Sequence, residues 1–183
     1  DREEDYCLVL EDDVFLSADL KAWTEDLSWW PEEAEVVKIE RWRDDRLKVV
    51  VGKKVKSFRN RSIMKLYSRH SGTAGYFVSR IGAKKIVEAK QKCFPADHLL
   101  FNVNASQLAK SLNVYQVNPA LSVQGNDPKI GKKNSGPMRG VIKENVALRE
   151  IKRGLWELSL VPKFLWLIVS GLAKIDDVKY LDS

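Results

Sequence analysis

Short apolar runs alternate with polar, glycine-containing stretches over the first two thirds of the chain. Six of these runs have the length and composition of β-strands: Tyr6–Leu10, Val36–Glu40, Leu47–Gly52, Ser62–Ser68, Gly72–Ser79 and Asn113–Val117. The first run is apolar throughout and ends abruptly in acidic residues, which predicts a buried parallel strand.

Apolar residues recur at helical spacing between the first two strands. The positions concerned are Leu20, Trp23, Leu27 and Trp30. This spacing predicts a helix from Ser17, which can cap it, to Trp30, just before Pro31. Shorter helices are predicted over Gly82–Gln91 and Asp97–Lys110. Strands that alternate with helices, followed by a strand-rich insert, indicate an α/β domain.

The composition changes after the last predicted strand. Gly, Pro, Asn, Ser and Lys dominate Pro119–Gly140, which predicts a long loop or a mobile lid. Val141–Arg153 has the pattern of a basic helix, and Leu155–Ile175 is rich in apolar residues. Its longest uninterrupted apolar run, Phe164–Val169, is too short to cross a bilayer. We therefore predict one domain over residues 1–140 and a basic, apolar helical tail over 141–183.

The composition indicates a folded globular domain, and the net charge bears on the kind of partner that it binds. With 183 residues, 44% apolar and 31% charged, the chain has the composition of a folded globular domain. Its formal charge of +6 favours an anionic partner, or else reflects a solvated basic surface. Two cysteines cannot form a disulfide framework, and Cys7 lies in an apolar run typical of a core position. This cysteine usage favours a reducing cytoplasm.

Basic residues are concentrated between Arg41 and Arg69, where eleven Lys and Arg stand against two acids. One interpretation is an exposed basic hairpin. The other is a contact surface for a phosphorylated oligosaccharide.

Three acidic residues, Glu11, Asp12 and Asp13, follow the first predicted strand directly. Successive carboxylates repel one another, and a divalent cation relieves that repulsion. Ligands of open α/β sheets bind at the carboxyl ends of strands, where such carboxylates can hold a hard metal that also bridges a diphosphate. The alternative is a solvated acidic turn or a charge cluster at a helix N-terminus.

Five segments, taken in order, resemble the motifs of glycosyltransferase family 25, the lipopolysaccharide (LPS) biosynthesis family. They are YCLVLEDDVFLS, VVKIERW, HSGTAGYFVSRIGAKKIVE, FPADHLLF and VYQVNPALSVQ. The resemblance covers roughly residues 6–130 and rests on the ordered set, since each motif alone is weak. It implies an α/β fold of the GT-A-like (Rossmann-like) nucleotide-sugar transferase type. Because family members carry a segment ahead of the acidic motif, the fold is expected to be partial at the N-terminus.

The same resemblance implies an activity. A hexose such as galactose would pass, with inversion, from a UDP-sugar to the LPS core or a related glycan. The metal would be Mn²⁺ or Mg²⁺, held by Asp13 with Glu11 or Asp12. Asp97, in the motif's Pro-x-Asp segment, would be the catalytic base, although a helix N-cap is the alternative role for this residue.

Further substrate contacts are expected from His70, Gly72, Thr73, Tyr76 and His98. Gly72 and Thr73 let the backbone approach a ligand closely, or else form a bulge or a tight packing contact. Tyr76 can stack on a sugar or a base, or pack into the core. His70 is expected to contact substrate and His98 to accept a proton or contact a ligand, unless either histidine is structural.

The implied partners are a nucleotide-sugar donor and a lipid-anchored glycan, with no nucleic acid, because no nucleic-acid-binding motif is present. The expected location is the cytoplasm, with peripheral contact at the inner face of the bacterial inner membrane. The apolar residues expected on the docking side of the tail are Trp156, Leu160, Phe164, Leu167 and Val169, which otherwise pack on the core. The alternative function is a truncated, non-catalytic module that binds anionic glycans or lipid headgroups.

Overall fold

The structure is a computed structural model, which describes residues 5–42, 48–89, 95–124 and 161–182. The strands within these ranges are β1 (Tyr6–Leu10), β2 (Val14–Leu16), β3 (Val36–Lys38), β4 (Glu40–Arg41), β5 (Lys48–Phe58), β6 (Arg61–Leu66), β7 (Gly75–Ser79), β8 (Val114–Asn118), β9 (Ser122–Gln124) and β10 (Ala173–Asp177). The helices are α1 (Leu20–Glu25), α2 (Arg80–Glu88), α3 (Ala96–Phe101) and α4 (Gln107–Ser111). Residues 161–169 are also helical.

The strands form a mixed sheet of seven strands, in the order β1-β7-β3-β8-β6-β5-β10, and a small sheet of three, in the order β2-β9-β4. In the large sheet β3 and β8 are parallel, and the other pairs are antiparallel. The prediction that the first strand is buried and parallel is wrong. Among the described strands of this sheet, β1 lies at the edge and pairs with β7, to which it is antiparallel, and Cys7 is exposed rather than part of the core.

Apolar side chains cover both faces of the large sheet. Val36 and Val78 point to the face that packs against α2, α3 and α4. Val37 and Phe77, their neighbours in the chain, point to the opposite face, where they meet α1 and the tryptophans that follow it. Because the central strands are buried on both sides, they read as continuous apolar runs in the sequence. The predicted α/β class is confirmed.

The predicted helix over 17–30 is much shorter than expected. It spans only Leu20–Glu25, and its N-cap residue is Asp19 rather than Ser17. Ser17 instead accepts a hydrogen bond from the buried guanidinium of Arg61. After the helix, Trp29 turns back and donates its Nε1–H to the carbonyl oxygen of Trp23 at 2.9 Å. The helical spacing of apolar residues therefore marked positions that are buried in the core, but after Glu25 turns rather than a helix bring these residues there.

The helix predicted over Asp97–Lys110 is two helices, α3 and α4. The chain leaves helical geometry at Asn102, and Ser106 begins the second helix. The Ser106 hydroxyl accepts a hydrogen bond from the N–H of Ala109 and donates one to the carbonyl oxygen of Leu99 at 2.6 Å. Serine at an N-cap satisfies donors that the helix leaves unpaired, which explains the break.

The described part of the basic stretch forms a hairpin in which residues 53–57 are exposed and most of β6 is buried, so the interpretation of an exposed basic hairpin holds only for the end of β5. Strand β5 runs to Phe58, well past its predicted end, and β6 starts at Arg61. The two turn residues, Arg59 and Asn60, have positive φ values of 43° and 60°, as tight hairpin turns require. Arg61, the first residue of β6, has a fully buried side chain although it is charged.

The C-terminal third differs in part from its prediction. Ser122–Gln124, expected in a loop, forms β9, which pairs antiparallel with β2 and parallel with β4. The loop residues from 125 onward, the predicted basic helix, Trp156 and Leu160 lie outside the described residues. Residues 161–169 are helical as predicted, but Ala173–Asp177 forms β10 on the edge of the large sheet, paired with β5. The division into two domains stays a prediction.

Within the described ranges, no helix combines the length and the apolar character needed to cross a membrane. The side chain of Leu167, expected on the docking side of the tail, is buried, whereas Leu165, Trp166 and Val169 are exposed. Of the described residues expected on the docking side, Val169 is therefore exposed, Phe164 is half-buried and Leu167 packs on the core.

Candidate functional site

Strand directions bring several polar segments to one edge of the large sheet. β7 is antiparallel to both β1 and β3, and β8 is parallel to β3, so β1, β3 and β8 all point the same way. Their carboxyl ends lie beside the segment that enters β7. At this edge the N–H of Glu11 donates to the carbonyl oxygen of Ala74 at 3.1 Å. We call this region the site edge and residues 70–74 the site loop.

Glu11 is held on both of its carboxylate oxygens. Oε1 accepts a short hydrogen bond from the hydroxyl of Thr73, and Oε2 accepts one from the side-chain amide of Gln124 at 2.8 Å. The next two residues form a turn in which Asp12 is exposed and Asp13 is half-buried. The acidic triplet therefore consists of one oriented carboxylate and two more accessible ones.

The donor set of this triplet suits a hard divalent cation, which prefers carboxylate oxygens. Each oxygen of Glu11 has a second lone pair beyond the hydrogen bond that it accepts. Among the described residues, no group of three or more His, Cys, Asp or Glu side chains lies close enough together to form a complete metal site. A cation here would therefore keep waters or take phosphate oxygens as its remaining ligands, which is the usual behaviour of Mg²⁺.

A buried ion pair lies behind the site loop. The ammonium of Lys38 is 2.8 Å from Oε2 of Glu40, and neither side chain is exposed to solvent. Lys38 also donates to the carbonyl oxygens of Gly72 at 2.6 Å and Ser71 at 3.4 Å. Oε2 of Glu40 accepts in addition from the N–H of Ala74 at 3.0 Å. The ion pair thus fixes the backbone of the loop whose Thr73 orients Glu11.

Gly72 is required where it stands, for two reasons. Its φ of +83° lies in the left-handed region, which side chains other than glycine disfavour. A Cβ at this position would also lie only 2.2 Å from Oε1 of Glu40 and 2.6 Å from the ring of Trp42. The close approach that the sequence predicts for Gly72 is therefore made to protein groups, while its approach to a ligand stays a prediction.

Two buried polar atoms near the loop have no hydrogen-bond partner among the described residues. They are Oε1 of Glu40 and Nε2 of His70. The other ring nitrogen of His70, Nδ1, lies 2.6 Å from the carbonyl oxygen of Ser71. Because a carbonyl only accepts, Nδ1 carries the proton, and Nε2 is left as an acceptor.

Burial changes the ionisation of this cluster. It raises the pKa of Glu40, and the adjacent Lys38 ammonium offsets part of that rise. Burial lowers the pKa of Lys38, against the opposing effect of the carboxylates of Glu40, Asp97 and Glu11. Burial, together with the charge of Lys38, holds the pKa of His70 well below its usual value, so His70 is neutral at physiological pH.

Asp97 and Tyr76 lie on the side of the sheet that carries Lys38. Asp97 is in the first turn of α3, whose N-cap residue is Pro95, so the N-cap interpretation of Asp97 is wrong. Its charge acts on Lys38, as does that of Glu11. The ring of Tyr76 packs edge-on against Phe101 at 5.6 Å, and burial raises the pKa of its hydroxyl, with smaller contributions from Cys7 and Glu11.

The structure therefore brings most of the predicted site residues together and adds three. Glu11, His70, Gly72 and Thr73 meet at the site edge, and His98 is half-buried next to Asp97 in α3. The added residues are Lys38, Glu40 and Gln124. The sequence held a signal for Lys38 and Glu40: they are opposite charges two positions apart in the apolar run VVKIE, so in a strand their side chains lie on the same face. Nothing local marks Gln124.

The mixed sheet packed between helices makes this an α/β protein, and the carboxylates at one edge of the sheet form its candidate ligand site. Comparison with known proteins identifies the family. A profile described as glycosyltransferase family 25 (LPS biosynthesis protein) matches residues 1–100. The chain belongs to this family, so the resemblance seen in the sequence is confirmed.

Three curated relatives each match about two thirds of the chain. The lacto-N-neotetraose biosynthesis glycosyltransferase LgtE of Neisseria meningitidis serogroup B (strain ATCC BAA-335 / MC58) is 34% identical over 128 residues, which cover 65% of this chain and 45% of the relative. The protein of the same name from Neisseria gonorrhoeae is 31% identical, with coverages of 65% and 45%. The lipooligosaccharide biosynthesis protein lex-1 of Haemophilus influenzae is 27% identical, with coverages of 66% and 42%. The chain thus spans a little under half the length of these relatives.

Proposed function

We propose that this chain is part of a glycosyltransferase that moves a hexose from a nucleotide-sugar donor to the glycan of a lipopolysaccharide or lipooligosaccharide. The observation that carries the proposal is the site edge itself. It lies largely within the matched residues 1–100 and combines an oriented carboxylate, Glu11, with a loop fixed by Lys38 and Glu40. The names of the relatives support the glycan class of the acceptor.

The donor end of the reaction is assigned to the acidic triplet. Asp13, with Glu11 or Asp12, would hold Mn²⁺ or Mg²⁺, and the ion would supply positive charge next to the departing nucleoside diphosphate. Glu11 is pre-oriented by Thr73 and Gln124, so little side-chain entropy is lost on binding. The more accessible Asp12 and Asp13 complete the carboxylate set.

The acceptor end is assigned to Asp97 in α3. In an inverting transfer, a base takes the proton of the attacking hydroxyl while the leaving diphosphate departs from the opposite face of the sugar. Asp97 is half-buried, close enough to act on the charge of Lys38, and unused as a helix cap. His70, Thr73, Tyr76 and His98 line the surrounding region and contact the substrates. A GT-A-like arrangement of the whole protein belongs to the same proposal.

The test of the donor assignment is Asp13→Asn in the full-length protein. We expect Mn²⁺-dependent release of UDP to fall by about 10²-fold or more, which is the loss typical of removing a group that stabilises transition-state charge. The thermal unfolding midpoint should not change. Glu25→Gln, a change at an exposed carboxylate on α1 paired only weakly with Lys21, is the matched control. Undiminished turnover in Asp13→Asn would contradict the proposal.

A non-catalytic module that binds anionic glycans is the second candidate, because the β5–β6 hairpin presents exposed lysines. Titration of the wild-type protein with Mn²⁺ in the presence of UDP separates the two functions. The transferase requires saturable Mn²⁺ binding that Asp13→Asn abolishes, whereas the module requires none.

We also propose that the protein works in the cytoplasm at the inner face of the inner membrane, where a lipid-anchored acceptor is presented. Leu165, Trp166 and Val169 lie on one exposed face of the helical residues 161–169, in the arrangement of an interfacial helix. Trp166→Ser should reduce sedimentation with anionic liposomes. The control is Val87→Ser, at an exposed apolar position on α2. Equal sedimentation of the two variants and the wild type would remove this part of the proposal.

A further inference from the structure

A second concave site lies behind the site edge. It is a cleft of ≈ 370 Å³, bounded by β6 and the residues after it, α3, α4, the start of β8, and the helical residues 161–169. Its back wall includes Phe101. The carbonyl oxygen of Phe101 accepts from the N–H of His70 at 3.1 Å, and its ring lies 4.2 Å from the ammonium of Lys38. The cleft and the site edge therefore share one wall.

The charged side chains that line the cleft within the described residues are all basic. Of the described residues that line it, three are lysines, Lys65, Lys110 and Lys163, and none is acidic. Lys65 is half-buried, and its ammonium lies 3.0 Å from the side-chain oxygen of Asn113, which fixes its position. Lys110 and Lys163 are exposed and come from two different elements. Like charges gathered from three elements around one cavity favour an anion between them.

The uncharged side chains of the cleft indicate which other chemical groups a bound ligand would carry. Tyr67 and Phe164 are half-buried aromatic side chains on the wall, so parts of their rings are accessible. Sugar rings present apolar C–H faces that pack on aromatic rings, and their hydroxyls suit the amide and hydroxyl groups of Asn113 and Ser68. An inorganic anion would use only the lysines, while a neutral sugar would use only the aromatic and amide groups. The combination suits a sugar that carries phosphate.

We infer that this cleft binds a phosphorylated saccharide unit. The identification of that unit as part of the glycan acceptor rests on the proposed function, whereas the binding itself does not. The shared wall at Phe101 places such a unit next to the loop that carries His70 and next to α3, which carries Asp97.

The test is a binding titration that needs no transfer reaction. Glucose 6-phosphate, glucose and inorganic phosphate are titrated separately into the wild-type protein, with affinity measured by NMR chemical-shift changes. We expect glucose 6-phosphate to bind at least fivefold more tightly than either of the other two. Equal affinities for glucose 6-phosphate and phosphate would overturn the inference, because the aromatic wall would then contribute nothing.

Variants locate the binding. The double change Lys110→Met and Lys163→Met should weaken glucose 6-phosphate binding by tenfold or more. The matched control is Lys21→Met and Lys84→Met, at two exposed helical lysines outside the cleft, and it should bind as the wild type does. Unchanged binding in the first pair would overturn the inference, as would displacement of glucose 6-phosphate by UDP, which would make the cleft a nucleotide site.

One further variant separates this inference from the proposed function. Asp13→Asn should lose Mn²⁺-dependent transfer and keep its affinity for glucose 6-phosphate. If transfer is present in the wild type but glucose 6-phosphate does not bind, only the cleft assignment fails. If binding is present but Mn²⁺-dependent transfer is not, only the proposed function fails.

Discussion

Within the ranges that the structure describes, the side chains of Lys38 and Arg61 are completely buried, and the surroundings of these two cations differ. The terminal nitrogens of Arg61 reach five acceptors: the Ser17 hydroxyl, the Asp19 carboxylate and the carbonyl oxygens of Pro119, Ala120 and Leu181. Lys38 is bonded to Glu40 and to two carbonyl oxygens of the site loop. The partners of Lys38 therefore lie in the site loop or next to it, whereas those of Arg61 come from distant segments of the chain.

The difference separates a structural role from a positioning role. Arg61 joins the hairpin to segments up to 120 positions away, so its hydrogen bonds fasten distant parts of the chain. Lys38 and Glu40 fix one loop, and that loop orients Glu11 through Thr73.

The largest stability effect is expected at Arg61. Arg61→Met should lower the free energy of unfolding by about 3–5 kcal/mol, because it leaves Asp19 and several carbonyl oxygens without their cation. Urea denaturation followed by tryptophan fluorescence measures the change. Its neighbour Arg59, exposed and 3.9 Å from Asp19, is the control, and Arg59→Met should cost less than about 1 kcal/mol. If the two variants lost similar amounts of unfolding free energy, burial of Arg61 would not be the reason for its contribution to stability.

A somewhat smaller effect is expected at Lys38. Lys38→Met should cost about 2–4 kcal/mol, since Glu40 is left buried without a countercharge and must take up a proton. Adding Glu40→Gln should restore part of that stability, because the pair is then neutral. The double variant should still be deficient in transfer, since the site loop keeps no link to residue 38. Recovery of both stability and transfer would show that the ion pair does not position the loop.

Gly72→Ala tests the same loop from the backbone side. We expect a loss of about 2–3 kcal/mol, from the left-handed φ together with the clash with Glu40 and Trp42. Gly171 has a similar φ of +69°, but an added Cβ there meets no described atom within 4 Å. Gly171→Ala should therefore show the backbone cost alone, about 1 kcal/mol. Thermal denaturation of both variants gives the comparison, and equal losses would mean that the contact with Glu40 is relaxed easily.

The smallest effect is a pH dependence from His70. The folded-state pKa of His70 lies below the unfolded value of about 6.5, so the unfolded chain binds the extra proton first. Stability should therefore fall as the pH drops below about 6.5, with a slope of up to about 1.4 kcal/mol per pH unit. His70→Gln should remove this component, whereas His98→Gln should keep it. A wild-type slope unchanged in His70→Gln would show that His70 does not cause the dependence.

Sequence patterns located most strands because a short run of apolar and β-branched residues marks a strand locally, whether or not both of its faces are buried. Tyr6–Leu10 was predicted with its observed bounds, and Gly75–Ser79 lies inside its predicted run. Helix ends were less predictable, since the breaks at Glu25 and Asn102 depend on where tryptophans and caps find partners. The acidic triplet at the end of β1 was visible because it directly follows an apolar strand, unlike the acidic run at residues 3–5.

The geometry of the site needed the tertiary structure. Gln124 holds the carboxylate of Glu11 across 113 positions, and Lys38 reaches the carbonyl oxygen of Gly72 across 34. A local sequence pattern cannot predict such pairs, because the order and direction of the strands, rather than the neighbouring residues in the chain, bring the two partners together. By itself the sequence determined which segments are apolar enough to become strands and where the carboxylates stand along the chain. Only the folding of β1, β3 and β7 side by side decided that Glu11, the buried ion pair and the site loop form one site, since hydrogen bonds depend on distance in space.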